Sequence, residues 1–226
     1  VELTIPQDVV LKNNGTIDNN GSICNAGVID NMAGTAIGGE ISGDGQINAE
    51  AVWTNNGETY YGSIEEGIEN VKTSGGTITL NNETFVVDGD ITIPSGVTLE
   101  IPEGTKMTVA QGGSLVNNGT VKNDGEITNH GNIAGDGTIN NDNGTINSVN
   151  GVVSNAIENG DKGKVIAEAS WEVDGVIVYG SFEKAIEFVQ TQGTGKIVIN
   201  NNIVITSDVV IPKGVILEIK QGVTVN

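Results

Sequence analysis

Aliphatic residues recur at every sixth position in two long stretches of this chain, and no other feature limits its possible folds so strongly. Asn occupies the second position after the aliphatic residue in eight of the nine hexads, and Gly commonly occupies the fourth. An α-helix is excluded, because a Gly at every sixth residue would cost about 1 kcal/mol each relative to Ala. The aliphatic positions are Leu11, Ile17, Ile23, Ile29, Leu115, Val121, Ile127, Ile133 and Ile139.

Each hexad is long enough for a strand of about three residues and a corner. The aliphatic residue points inward by the period-two rule of strands. We expect the Asn side chains to form amide ladders at the ~4.8 Å spacing of stacked strands. Gly and Asn are expected at the corners because both accept a positive φ. Three hexads per turn would give a triangular coil with aliphatic stacks inside, so the sequence predicts an all-β, parallel β-helix.

A longer repeat of 118 residues is superimposed on the hexads. Ala49–Trp53 recurs as Ala167–Trp171, and Tyr61–Glu65 recurs as Tyr179–Glu183. Residues 4–16 also match residues 108–120, so the chain starts and stops at nearly the same phase of the unit. We therefore expect a two-copy piece of a longer array. The predicted organisation is coil over residues 1–48, 77–166 and 196–226, interrupted by a different module over residues 49–76 and 167–195.

Each module is predicted to contain a β-hairpin followed by a short amphipathic helix. The hairpins turn at Asn56-Gly57 and Asp174-Gly175, dipeptides that favour two-residue turns. Ser63 with a Glu three residues later is a capping-box pattern, and Gly residues end each helix before another strand. The apolar helix stripes are Ile64, Ile68 and Val71 in the first copy, and Phe182, Ile186 and Val189 in the second.

The order of helix, Gly stop, strand and then Ile-Thr-Ile-Pro-Ser-Gly-Val-Thr-Leu at residues 91–99 resembles the opening of right-handed, pectate-lyase-like β-helices. In that superfamily the helix often covers an open end of the coil. The string from Tyr60 to Val109, repeated from Val178, resembles repeats of large cell-wall-anchored proteins of Gram-positive bacteria. The hexads resemble the Asn-Gly-rich coils of filamentous haemagglutinin-type adhesins. The resemblance implies a right-handed coil and a non-catalytic surface protein, although hexads alone also fit a left-handed coil.

Charge and residue types narrow the function further. A formal net charge of −19 makes nucleic acid and anionic membrane surfaces poor partners, because both would repel the chain. No apolar run approaches the ~18 residues that a membrane-spanning helix needs. Pectate lyases need a strong base, usually Arg, beside calcium-binding carboxylates, and all ten cations here are Lys. One His and one Cys are too few for a zinc site or a Ser-His or Cys-His nucleophile. We expect no enzyme activity and no cofactor.

Acidic corner residues are the only ones that suggest a metal. Asp44 and Asp136 occupy Gly-Asp-Gly segments at comparable places in the two copies, and Asp142 follows six residues after Asp136. Their spacing matches neither an EF-hand nor the nonapeptide calcium coil. Asp124, Asp136 and Asp142 could align on neighbouring turns as a glycosidase carboxylate pair would require. Solvated turn residues are the favoured interpretation, so no metal or catalytic site is predicted.

Aromatic residues, which commonly stack on sugars, are concentrated in the two modules. One interpretation is that they pack the helix against the coil, and this is favoured. The other is that they contact an extracellular glycan or protein. These residues are Trp53, Tyr60, Tyr61, Trp171 and Tyr179.

Taken from the residues and the resemblance, the predicted function is that of a non-catalytic segment of a bacterial cell-surface protein, a structural or adhesive stalk. Its parent is expected to be extracellular and anchored in the cell wall, with neighbouring repeats stacked end to end. The first alternative is a glycan-binding β-helix module. A polysaccharide lyase or hydrolase is the less favoured alternative.

Overall fold

The computed structural model describes residues 1–226, and strands dominate it throughout. The first coil block contains two stacks of short strands, and the central block contains three. The strands of the first block are β1 (Glu2–Ile5), β2 (Val10–Lys12), β3 (Ser22–Asn25), β4 (Val28–Asp30), β5 (Glu40–Ser42) and β6 (Gln46–Asn48). The first module contains β7 (Ala51–Asn55), β8 (Glu58–Gly62), α1 (Ile64–Val71) and β9 (Gly76–Leu80).

The central block follows with thirteen strands, and the second module and last block end the chain. The central strands are β10 (Thr84–Val87), β11 (Asp90–Ile93), β12 (Val97–Ile101), β13 (Lys106–Val109), β14 (Ser114–Asn117), β15 (Thr120–Asn123), β16 (Glu126–Asn129), β17 (Asn132–Ala134), β18 (Thr138–Asn141), β19 (Thr145–Asn147), β20 (Val152–Val153), β21 (Ala156–Asn159) and β22 (Lys164–Ile166). The remaining elements are β23 (Ala169–Val173), β24 (Val176–Gly180), α2 (Phe182–Gln192), β25 (Gly195–Ile199) and β26 (Val215–Ile219).

The central block is a triangular coil in which successive strands take three faces in turn. One face is the β10 sheet (β10, β13, β16, β19, β22), the next is the β11 sheet (β11, β14, β17, β20), and the third is the β12 sheet (β9, β12, β15, β18, β21). All of these pairs are parallel, and Val121 lies opposite Ile139, 18 residues away. The parallel β-helix with three hexads per turn is therefore confirmed, whereas its right-handed sense stays a prediction.

The Asn residues of the hexads point inward and join the turns. In the central block Asn123 Nδ2 donates to Asn141 Oδ1 at 2.7 Å, and Asn141 Nδ2 donates to Asn159 Oδ1 at the same distance. In the first block Asn13 and Asn31 form the same bond, also at 2.7 Å. The predicted amide ladder is confirmed. Asn13, Asn31, Asn123 and Asn141 are buried, so each bond satisfies at least one polar group that would otherwise cost about 1–3 kcal/mol.

The hexad Gly residues are needed for a reason different from the predicted one. None of Gly27, Gly119, Gly125 and Gly131 is among the residues with positive φ. A Cβ at Gly119 would instead collide with the carbonyl oxygens of Pro94 and Val97 in the turn below. The backbone of one corner thus rests directly on the previous corner, and only a residue without a side chain fits. The expectation of positive φ at these corners was wrong.

The strands of each hairpin belong to a sheet of the coil and do not form a separate insertion. In the first module β9 continues the β12 sheet and pairs antiparallel with β7, which pairs antiparallel with β8. Tyr61 of β8 then bridges to Ile37 of the first block, with both backbone bonds at 2.9 Å. In the second module β24 pairs antiparallel with β20 of the β11 sheet, and β23 and β25 follow. Each hairpin thereby joins two coil blocks, through an isolated β-bridge in the first module and through one sheet in the second.

The two sides of each joining sheet belong to different cores. Paired residues of adjacent strands point to the same side, so Ile37 shares a side with Tyr61, whereas Tyr60 shares the other side with Trp53 and Ile78. Ile37 belongs to the core of the first block, and Trp53 and Ile78 belong to the core of the central block. The coil therefore changes to the opposite side of the sheet at the hairpin. We call this change a coil step.

The second hairpin produces the same kind of step. Val153 of β20 and Tyr179 of β24 face the interior of the central block. Val178, Trp171 and Ile197 face the other side and belong to the core of the last block. Three cores thus follow one another along the chain, each separated from the next by a shared sheet.

Each helix covers the start of the coil that follows it. The Ser63 hydroxyl accepts from Glu66 N and the Glu66 carboxylate accepts from Ser63 N, which confirms the capping box. The Glu50 carboxylate accepts from Ile64 N at 3.2 Å, and the Glu168 carboxylate accepts from Phe182 N at 2.9 Å. Both copies therefore fix the helix N-terminus, where negative charge is favoured, with the carboxylate of the residue that precedes the first hairpin strand.

Candidate functional site

A coil step leaves a concave corner, because the outer surface of one block meets the side of the next. The first groove has a volume of about 670 Å³ and lies where the first block meets the first hairpin. The second groove has a volume of about 470 Å³ and lies where the central block meets the second hairpin and α2. Tyr60 and Val178, which are 118 residues apart, occupy the same place in the two grooves. These two grooves are the candidate functional sites.

The first groove is polar and acidic. Asp18 and Glu40 line it from the first block, and Glu58 and Tyr60 line it from β8. The Tyr60 hydroxyl donates to the Glu58 carboxylate at 2.9 Å, and this bond raises the pKa of Tyr60 above its ordinary value. Asp18 also accepts from Asn20 Nδ2 at 2.8 Å. Carboxylates, amides and one half-buried aromatic ring are the groups that hydrogen-bond sugar hydroxyls or attract a cation.

The second groove is mainly apolar. Seven of its twelve lining residues are hydrophobic, and they come from β20, β21, β23, β24 and α2. Trp171 and Phe188 are part of this lining, with ring centroids 6.3 Å apart. Asp136 from a coil corner and Asp174 from the hairpin turn also line the groove. The site is therefore an open apolar groove with two acidic residues in its wall.

Two substitutions between the copies change the ring that packs beside the Trp. In the first module Tyr60 stacks on Trp53, with centroids 6.0 Å apart and an interplanar angle of 12°. The equivalent of Tyr60 is Val178, and the partner of Trp171 is instead Phe188, whose equivalent in the first copy is Asn70. The aromatic partner has moved from the hairpin to the helix. Trp171 is therefore part of its groove wall, whereas Trp53 is absent from the lining of the first groove.

The two Trp residues among the predicted ligand contacts are core residues. Trp53 is 2% exposed and Trp171 is 6% exposed. A Cβ added at Gly67 of α1 would lie 3.0 Å from Trp53 Cε3, so the helix backbone rests on the indole. This is the packing interpretation of the sequence. Ligand contact, the other interpretation, stays a prediction: Tyr60 lines the first groove, and Trp171 lines the second.

The remaining two aromatic candidates face the opposite side of their hairpins. Tyr61 shares a side with Ile37 and covers the end of the first block, and Tyr179 shares a side with Val153 at the end of the central block. Both rings are half-buried. Burial raises the pKa of Tyr179. These two rings are therefore not part of either groove.

The acidic metal candidates do not converge. Asp44, Asp136 and Asp142 are all exposed, and the structure contains no group of three or more His, Cys, Asp or Glu residues arranged to hold a metal ion. The backbone N of Asp136 donates to Oδ1 of Asn118, in the corner 18 residues earlier, at 3.2 Å. Asp124 points instead to Asn143 and Lys122. The three carboxylates are turn residues on separate corners.

A charged cluster on the outer face of the β12 sheet was not predicted from the sequence. Lys122 Nζ lies 2.6 Å from a Glu100 oxygen and 3.2 Å from an Asp124 oxygen. The hydrogen bond from Lys122 lowers the pKa of Glu100, and the bond from Asn143 is the main cause of the lowered pKa of Asp124. The strand register that places Glu100 opposite Lys122 would have revealed the pair. The groups satisfy one another, so we assign them to the surface of the coil.

The fold places the chain in the class of all-β, parallel β-solenoids, with two short helices between its coil blocks. No protein-family model, no curated protein and no solved structure matches the chain. Neither of the two helices has the length and apolar character that crossing a bilayer requires.

Proposed function

We propose that the chain is a non-catalytic structural segment of an extracellular bacterial surface protein, a stiff stalk that also presents adhesive grooves. The observation that carries the proposal is the way in which the blocks are joined. Each junction is made by antiparallel backbone pairing and not by a flexible linker: an isolated bridge with two hydrogen bonds joins Ile37 to Tyr61, and β24 pairs with β20 at the second junction. An amide also crosses each junction: Asn81 Nδ2 donates to Ile47 O at 2.9 Å, and Asn201 Nδ2 donates to Ala167 O at 2.6 Å.

Small-angle X-ray scattering tests the stiffness. We expect the profile of one rigid, elongated particle whose shape is unchanged between low and high salt, because backbone hydrogen bonds and not exposed charges hold the junctions. A profile typical of blocks that move independently would contradict a stalk. The same protein, incubated with pectin and with host and cell-wall polysaccharides, should release no reducing ends or unsaturated products. Cleavage of any of these would contradict the non-catalytic role.

A second candidate function, glycan binding, is favoured by the first groove. Tyr60 and three carboxylates lie together in an open groove, and aromatic rings with nearby polar groups are typical of sugar sites. Neutral or amino sugars suit it better than acidic sugars, because Asp18, Glu40 and Glu58 would repel a carboxylate. A glycan array with the intact chain tests this, with Tyr60→Ala as the groove variant and Asp44→Asn, an exposed corner residue outside the groove, as the control. Binding that Tyr60→Ala leaves unchanged would contradict this site.

A further inference from the structure

We propose that the second groove is a docking site for a partner protein, and that it receives an aromatic side chain flanked by basic residues. This goes beyond the stalk role and does not depend on it. The proposal rests on three observations: the place that a ring occupies in the other copy, the apolar wall, and the two acidic residues of the lining.

The first copy shows which group fits beside the Trp of a coil step. There Tyr60 extends from β8, stacks on Trp53 and lies so close to Gly38 that a Cβ at Gly38 would collide with the ring. The second copy has the same strand register, with Trp171 opposite Val178 where Trp53 is opposite Tyr60. Val178 lacks the phenol ring. The second groove therefore opens where the chain's own aromatic side chain lies in the first copy.

The wall of the second groove suits an aromatic guest. Two aromatic rings, Trp171 and Phe188, line it together with Val152, Val176 and Val178. Aromatic pairs in such surroundings contribute about 0.5–1.5 kcal/mol beyond the burial of their area. A volume of about 470 Å³ accommodates one ring together with the adjoining backbone of a peptide, within the range of known ligand grooves.

The lining also selects the charge of the partner. Asp136 comes from the coil and Asp174 from the hairpin turn, and neither carboxylate is part of an ion pair. The chain as a whole carries a formal charge of −19. A partner with Lys or Arg on both sides of its aromatic residue would meet these carboxylates, and electrostatic attraction would speed its approach. A second copy of this acidic chain would be repelled.

Nuclear magnetic resonance titration of the intact, ¹⁵N-labelled chain tests the proposal. The probes are four compounds: the capped peptides Lys-Tyr-Lys, Lys-Ala-Lys and Glu-Tyr-Glu, and free p-cresol. The readout is the indole Nε1–H signal of Trp171, distinguished from that of Trp53 by a Trp171→Phe variant. We expect Lys-Tyr-Lys to shift the Trp171 signal in a saturable way. Lys-Ala-Lys, Glu-Tyr-Glu and p-cresol should each bind about tenfold more weakly, because each lacks one part of the recognised pattern.

Reciprocal variants locate the site. Val178→Tyr should place the chain's own ring in the groove and weaken Lys-Tyr-Lys about tenfold, and Tyr60→Val should create a second site that shifts the Trp53 signal. Val178→Leu, a smaller change, serves if the Tyr variant does not fold. Asp136→Asn with Asp174→Asn should remove the preference for Lys-Tyr-Lys over Glu-Tyr-Glu, whereas Asp44→Asn should retain it.

Three results would overturn the proposal. The first is a Trp171 signal that Lys-Tyr-Lys does not shift in the unmodified chain. The second is equal binding of Lys-Ala-Lys, which would show that charge alone attracts the probe. The third is p-cresol binding as tightly as Lys-Tyr-Lys, which would make the groove a site for free aromatic molecules and not for a protein.

Discussion

The first and second modules have the same scaffold, but one groove is polar and the other is mainly apolar. Both use a Ser N-cap, a Trp in the hairpin and a carboxylate, Glu50 or Glu168, on the helix N-terminus. They differ at the positions that line the coil step, where Tyr60 is replaced by Val178. The residues that hold a module in the stack are therefore separate from the residues that set the chemistry of its groove. The same fold can then present different surfaces in successive copies.

The largest effect is expected from the buried Trp residues. Trp53→Ala and Trp171→Ala should each lower the free energy of unfolding by about 4 kcal/mol, because both leave a large cavity. The remaining Trp in each variant reports on the other module by fluorescence during urea unfolding. We expect the midpoint of the reporting module to change little, since the two Trp residues belong to different cores. Equal loss of stability in both modules would show that the cores unfold as one.

Truncation of the side chain at the third helix position should affect the stability of the two copies differently. Glu66 accepts from Ser63 N and from Ala36 N of the first block, both at 3.1 Å. The side chain of its equivalent, Lys184, bonds only to Glu187 on the surface. Glu66→Ala should therefore lower the unfolding free energy by about 2 kcal/mol, the value of hydrogen bonds to a charged group. Lys184→Ala should leave the thermal midpoint unchanged, and a drop like that of Glu66→Ala would contradict this difference.

The hairpin turns should respond alike. Asn56 has φ 52° and Asp174 has φ 50°, the left-handed region that most residues avoid. Asn56→Ala and Asp174→Ala should each lower the unfolding free energy by about 1 kcal/mol. The matched controls are Asn56→Gly and Asp174→Gly, which should lose little, as Gly accepts this conformation. Unequal losses for the two Ala variants would show that the turns are not equivalent parts of the scaffold.

The smallest effect concerns pH and the first module. Burial raises the pKa of Glu50 above its ordinary value of 4.5, and the nearby Glu65 and Glu66 add to the shift. The folded chain then holds this proton more tightly than the unfolded chain, so the contribution to stability is complete below pH 4.5 and is lost as the pH rises through the folded pKa. Unfolding followed by Trp53 fluorescence in a Trp171→Phe chain should show greater stability at pH 5 than at pH 7. Glu50→Gln should abolish this slope; an unchanged slope would assign it to another group.

Much of the coil could be predicted from the sequence because its rules are local. The hexad of Leu115, Val121 and Ile127 fixes strand length and the inward face, and Asn two residues later forms the ladder. The hairpin turns and helix caps are likewise short motifs. The role of the hexad Gly could not be predicted from its sequence neighbours. A Cβ at Gly119 would collide with carbonyl oxygens of residues more than twenty positions earlier in the chain.

The coil steps and grooves depend on contacts that no short motif encodes. Whether Tyr179 pairs with Val153, and on which side of the sheet each hairpin residue points, is set by a register between strands 26 residues apart. A shift of one residue would exchange the two sides. For this reason the aromatic residues could be assigned to the modules from the sequence. Only the three-dimensional structure shows that Tyr60 lines one groove and that Trp171 lines the other.

The two hairpins also enter different faces of the central coil. The first continues the β12 sheet and the second continues the β11 sheet, so the two sideways displacements point in different directions. If further copies followed the same rule, each would be displaced from the last by the same rotation and shift. Successive copies would then follow a helical path, and the groove of each copy would face a different direction. A partner approaching from any side would find one of them within reach.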